Sequence, residues 1–318
     1  AAIIASGASP MGLGADIGGS IRNPSFFNGI CGHKATGGLL PSTGHWPPAD
    51  SDRGRYCITG PMARTVADLT AMMQVLSPDE DPWRDADRPA FVPREIDPSK
   101  VRVYHFDGTG LAWVDRDMRR ALRKTADALG DAGFAVEAWK PRGLTRSAEI
   151  WTAKLAVTGD PSVREFLGNG KPVDLGQQWA RWPLRRADHT FISLLMASLE
   201  GVSHMGQART QNLVDLADEM RREIEEKLGD DGVLLFPPYP RSAPRHRAPL
   251  LNPLAFTFCG IVNVLELPAT AVPTGFDRRD MPLGLQVVGS RFQDALTLSV
   301  AQHVERIWGP WHPAPIPR

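Results

Sequence analysis

Roughly the last ninety residues constrain the fold most. Short apolar runs (Val233 to Phe236, Ala269 to Val272, Leu283 to Val288) alternate there with proline and glycine turns, and a helical pattern closes them from about Asp294 to Ile307. Runs of this length bounded by turn formers read as strands. Upstream, Val101 to Phe106 alternates like a strand and is followed by a helix opening near Asp115, with Met118, Leu122 and Leu129 on one face and Gly133 near its end. Val66, Leu69, Met72, Met73 and Leu76 recur at helical spacing, and residues 207 to 228 form one long charged helix with Leu213, Leu216, Met220, Ile224 and Leu228 as its apolar stripe. Its charges read as a solvated face. Strands alternating with helices imply a layered α/β fold.

Composition narrows the function classes. The 318 residues suffice for one large α/β domain or two ordinary ones. Lysine plus arginine equals aspartate plus glutamate at 36 each, so net charge points to neither a nucleic-acid nor an anionic-membrane partner. Cys31, Cys57 and Cys259 are odd in number and widely spaced, which argues against a disulfide framework or a zinc site. Such usage fits a reducing, cytoplasmic compartment. The longest apolar stretch, Leu250 to Thr274, is interrupted by Asn252, Pro253, Asn263, Glu266 and Pro268, so it reads as buried core rather than a membrane span. Residues 77 to 98 carry five prolines and many charges, as a surface connection does, and residues 140 to 229 read as largely helical. The opening AAIIASGASP has neither an initiator Met nor a basic flank and reads as cut from something longer.

The chemistry sits near the start. Gly12 to Arg22 packs four glycines and Ser20 into a few residues. Residues without a Cβ let the backbone turn sharply and bring its N–H groups close to a ligand, as an oxyanion hole requires. A serine ending such a run suits acyl transfer. Three other readings compete: a phosphate-binding loop, a nucleophile elbow, and a structural glycine turn with an incidental serine. The spacing G-x-G-x-x-x-G with no following GK[ST] speaks against the first, and Arg22 in place of the last glycine of G-x-S-x-G against the second.

Gly14 to Pro41, GADIGGSIRNPSFFNGICGHKATGGLLP, resembles the signature of the amidase signature family. Leu265 to Gln302 is similar to that family's C-terminal block, and Asp230 to His246 with the stretch HKATGGLLPSTGHWP favours its fatty acid amide hydrolase branch. The resemblance implies an α/β amidase-signature fold, a large mixed sheet covered by helices on both faces, in one domain spanning 1–318 that lacks its N-terminal portion. Within it, 1–76 would hold the nucleophile and oxyanion region, 77–229 a mostly helical substrate-side region, and 230–318 the C-terminal strands and helix. It implies Ser20 as nucleophile and the backbone N–H groups of Ile17, Gly18 and Gly19, with that of Ser20, as the oxyanion hole. The family uses a Ser–Ser–Lys triad, in which a second serine relays the proton to a neutral lysine. None of the seven lysines here falls at that catalytic position, and Lys34 matches a structural lysine. The relay serine and the base are therefore expected upstream of Ala1, and residues 1 to 318 alone are expected to be inactive.

The same resemblance implies a small-molecule amide substrate, no cofactor, no metal, no nucleic acid and no transmembrane segment in this chain, and it allows a homodimer. Asp16 and Arg22 read as braces of the loop. His33, His45 and His246 read as core or surface residues rather than bases. Cys31 beside His33 lacks further ligands at zinc spacing. Trp46 and the pair Phe26–Phe27 could line an acyl channel but read first as core. The leading function is hydrolysis of carboxylic or fatty acyl amides to the acid and ammonia or an amine. The alternative is the amidase component of a tRNA-dependent amidotransferase, whose usual Tyr-Gly-Arg-Val-Ser-like segment is replaced here by Gly37 to Pro41. A non-enzymatic scaffold is a third reading.

Overall fold

The computed structural model describes residues 1–41, 44–45, 52–77, 89–158, 162–202 and 206–312. Among them, eight strands form one mixed sheet: β1 (Met11–Asp16), β2 (Cys31–Lys34), β3 (Ile58–Ala63), β4 (Arg102–His105), β5 (Ala135–Ala138), β6 (Gly232–Phe236), β7 (Ala269–Phe276) and β8 (Pro282–Gly289), in the order β1-β3-β2-β7-β8-β6-β4-β5. β4 runs parallel to β5 and β6, and the remaining pairs are antiparallel.

Successive side chains of a strand point to opposite faces. Here both sets are apolar in the centre, so both faces must be covered. Val103, Val233, Leu235, Leu285 and Val287 meet one layer, built from α3 (Val66–Leu76), α4 (Arg116–Asp131) and the last helix, Asp294–Trp308. Their neighbours Tyr104, Leu234, Phe236 and Val288 meet the other, which includes Ser147–Ala156, Gln207–Leu228 and Thr257–Val264. Numbering the helices in chain order, with α1 (Ala2–Ala5), α2 (Arg22–Phe27), α6 (Val163–Leu167), α7 (Leu175–Arg181) and α8 (Phe191–Val202), makes these α11, α5, α9 and α10. The fold is α/β with a large mixed sheet and helices on both faces, as expected from the sequence.

The helical readings at 66–76, after Asp115, at 207–228 and from Asp294 coincide with α3, α4, α9 and α11. Thr65 caps α3 by accepting from the Asp68 N–H at 3.1 Å, and Gly133, at φ +95°, ends the turn after α4. Two readings need correction. Residues 1 to 65 hold three strands that the sequence reading passed over. The apolar stretch from Leu250 is buried only from Ala255 onward, because Pro249 and Pro253 open short turns that leave Leu251 89% exposed. Much of the proline-rich connection, residues 78–88, lies outside the described residues. No helix among the described residues is long and apolar enough to cross a membrane.

Candidate active site

β1 ends at Asp16 and α2 begins at Arg22, so the chain must reverse from strand to helix within the five residues between them. Gly19 makes that reversal possible. Its φ is +117°, a region closed to most L side chains, and a Cβ on it would stand 2.5 Å from Asn23 Nδ2 and 2.7 Å from Cys259 Cβ.

A buried ionic lattice fixes the turn from behind. The Asp16 carboxylate accepts from the N–H groups of Gly19 (2.6 Å), Ile21 (3.1 Å) and Arg22 (3.3 Å), and from Arg22 Nε and Nη2 at 3.1 Å each. The Arg22 guanidinium continues to Gln286 Oε1 on β8 (2.8 Å), and to Cys259 O (3.0 Å) and Asn263 Oδ1 (2.5 Å) on α10. Asn263 Nδ2 in turn donates to Asp16 O at 2.6 Å and Tyr56 O at 3.1 Å. Burial pushes the Asp16 carboxyl up, but the Arg22 charge and hydrogen bonds, with Lys34 and Asn263, outweigh it and hold the pKa at about 2. Asp16 and Arg22 are thus the braces the sequence suggested. Asn263 and Gln286 were not singled out as site residues, and their only signal was a polar residue interrupting an otherwise apolar run.

Ser20 stands exposed at the tip, and its hydroxyl makes no hydrogen bond to any described residue. The N–H groups of Ile17, Gly18 and Ser20 are likewise unengaged among the described residues. Gly19 is different. Its N–H donates to Asp16 Oδ1 at 2.6 Å, so in this structure Gly19 shapes the loop with its amide engaged, whereas the three neighbouring amides are not. Trp151 of α5 packs beside Gly18 and donates Nε1–H to Ile17 O at 2.8 Å.

Other nucleophiles and bases nearby are held back. Burial and Asp16 push the Cys259 thiol up to about 12, against the opposing charges of Arg22 and Lys34. Burial, with Arg22, pulls Lys34 down to about 7 despite the nearby carboxylates, yet its Nζ donates to Ala35 O at 2.7 Å and makes no hydrogen bond to Ser20. Lys34 has the pKa of a base without the position of one. His33 is buried between Thr270 Oγ1 (2.9 Å) and Asp294 Oδ1 (3.1 Å), where it ties β2 to α11. His246 is exposed. Phe26 is core, packed with Met118, Phe258 and Leu283, while Trp46 lies outside the described residues. Among the described residues no group of three or more His, Cys, Asp or Glu side chains could hold a metal ion.

The family model described as Amidase matches residues 1–298. The chain belongs to the amidase family. It is 33% identical to fatty-acid amide hydrolase 2 of Homo sapiens over 97% of its own length and 59% of that protein's. It is 26% identical to a glutamyl-tRNA(Gln) amidotransferase subunit from Picosynechococcus sp., over 98% of this chain and 67% of that one. Among solved structures, a 6-aminohexanoate cyclic dimer hydrolase complexed with substrate superposes with a TM-score of 0.77 at 22% identity, covering 97% of this chain and 66% of the other. That likeness shows the fold. The resemblance to the fatty-acid amide hydrolase branch of the amidases holds, although the chain spans only 59% of the length of those relatives.

Proposed function

We propose that the protein cleaves the C–N bond of a carboxylic or fatty acyl amide through a Ser20 acyl-enzyme. The observation that carries this reading is the exposed, unbonded Ser20 hydroxyl beside the unengaged amides of Ile17, Gly18 and Ser20, on a loop held by Asp16 and Arg22. In the proposal, Ser20 Oγ attacks the carbonyl carbon and the oxygen gains negative charge. Those amides donate to it where pre-set dipoles need no reorganisation. Collapse expels ammonia or an amine, and water then releases the acid from the ester of Ser20.

A serine hydroxyl needs a base within hydrogen-bond reach. That work falls to the relay serine and neutral lysine implied by the resemblance, which matches none of this chain's lysines to the base. The amidotransferase reading is less favoured, since identity falls from 33% to 26% between the two kinds of relative. Turnover of a long-chain primary acyl amide by the full-length protein tests the proposal. Ser20→Ala is expected to lower turnover by about a thousandfold or more while leaving the circular dichroism unchanged, because an exposed hydroxyl carries little stability. Substantial turnover in the variant would move the nucleophile elsewhere.

A further inference from the structure

Ile17 C=O and Gly18 N–H belong to one peptide unit. In a trans peptide these two groups point in opposite directions, so fixing one aims the other. The carbonyl is fixed by a side chain 134 positions away in sequence, the Trp151 indole, at 2.8 Å. We propose that Trp151 is a positioning residue for catalysis: by holding Ile17 O it aims the Gly18 N–H at the developing oxyanion. This rests on the reading of the Ser20 loop given above.

The indole is itself held. It meets the Phe256 ring edge-on, with centroids 5.0 Å apart and planes at 72°. Gly260 on α10 leaves the room, since a Cβ there would stand 3.0 Å from Phe256 and 3.2 Å from Trp151 Cδ1. α5 is seated by Ile150 and Ala153, both wholly buried against α9 and α10. The donor is therefore carried on a packed helix, and the loop need not hold the 17–18 peptide plane alone. Donation to a carbonyl also polarises its peptide unit and strengthens the opposite N–H as a donor. No ion pair or hydrogen bond of the Asp16–Arg22 lattice reaches Ile17 O. That leaves Trp151 as its partner among the described residues.

Two substitutions in the full-length protein separate position from packing. Trp151→Phe keeps an aromatic ring, and the benzothienyl isostere at position 151 keeps the shape of the indole and loses only N–H. Removing an oxyanion donor outright costs about a hundred- to a thousandfold in turnover, so misaiming one is expected to cost about tenfold. For both substitutions kcat should fall about tenfold with KM within about twofold. Affinity for a trifluoromethyl ketone, which forms the tetrahedral oxyanion, should fall in proportion, while affinity for the product carboxylate and the melting temperature hold. Retention of kcat, or a loss of kcat without loss of ketone affinity, would overturn the inference. Failure of the underlying reading would show separately, as turnover surviving Ser20→Ala; failure here would show as turnover surviving the isostere in an enzyme that Ser20→Ala inactivates.

Discussion

Gly19 and Lys34 show how two single residues set the limits of the site. At Gly19 a side chain meets obstruction from Asn23 and Cys259 and a backbone angle of +117° together. Left-handed strain costs about 1–2 kcal/mol and overpacking about 1–3 kcal/mol, so Gly19→Ala should lose about 2–5 kcal/mol of stability. Turnover should fall by about a hundredfold or more as the loop shifts. Urea unfolding and steady-state kinetics on the variant check both; near-normal values would contradict the geometry.

Lys34 makes a pH prediction. In the unfolded chain its amine titrates near 10.5 and in the folded chain at about 7. Between those values the unfolded chain holds a proton that the folded chain has released, so this residue makes stability rise as pH climbs from 7 towards 10. Below about pH 7 both states are protonated and the native state carries the full cost of a buried ammonium. Lys34→Met is therefore expected to be more stable than the parent at pH 6, by at most about 5 kcal/mol, the shift from 10.5 to about 7 already including the attraction to Asp16. The gap should close by about pH 10. A gap that does not change with pH would show that the amine stays charged when buried.

Among the elements, α10 joins the Ser20 loop to the sheet. All its residues from Thr257 to Val264 are buried, and Asn263 is the polar one that reaches β1, Arg22 and the Tyr56 carbonyl. Asn263→Ala would leave two buried carbonyls, those of Asp16 and Tyr56, without this donor, and Arg22 short of an acceptor. Each unsatisfied buried group costs about 1–3 kcal/mol, so a loss of about 2–6 kcal/mol is expected in denaturant unfolding, with turnover falling as the loop loosens. A variant as stable and active as the parent would show that the lattice holds without α10.

At the scale of the whole molecule, the sheet brings distant parts of the sequence side by side: β2 near the start pairs with β7 near the end. What the sequence revealed follows from this arrangement. Strands such as Val233 to Phe236 are flanked by turns and apolar throughout, so they stood out. β1 did not, because Gly12 and Gly14 carry no side chain to show a period. β2 did not either, because half of it is His33 and Lys34, polar residues that are nonetheless buried, and the His33 ring is held by Thr270 and Asp294, which lie beyond any local pattern. The same divide runs through the site. Ser20, its glycines and the Asp16–Arg22 pair lie within one short segment and could be read directly, whereas Asn263, Gln286 and Trp151 reach it only through folding.

The proposed role of Ser20 as the nucleophile of an amidase can be read from covalent labelling. The experiment is reaction of the full-length protein with a fluorophosphonate, followed by peptide mass mapping. A single adduct on Ser20, formed in step with loss of amide hydrolysis and absent from Ser20→Ala, is the expected result. An adduct on another residue that tracks the loss of activity, or turnover and labelling that survive in Ser20→Ala, would contradict it.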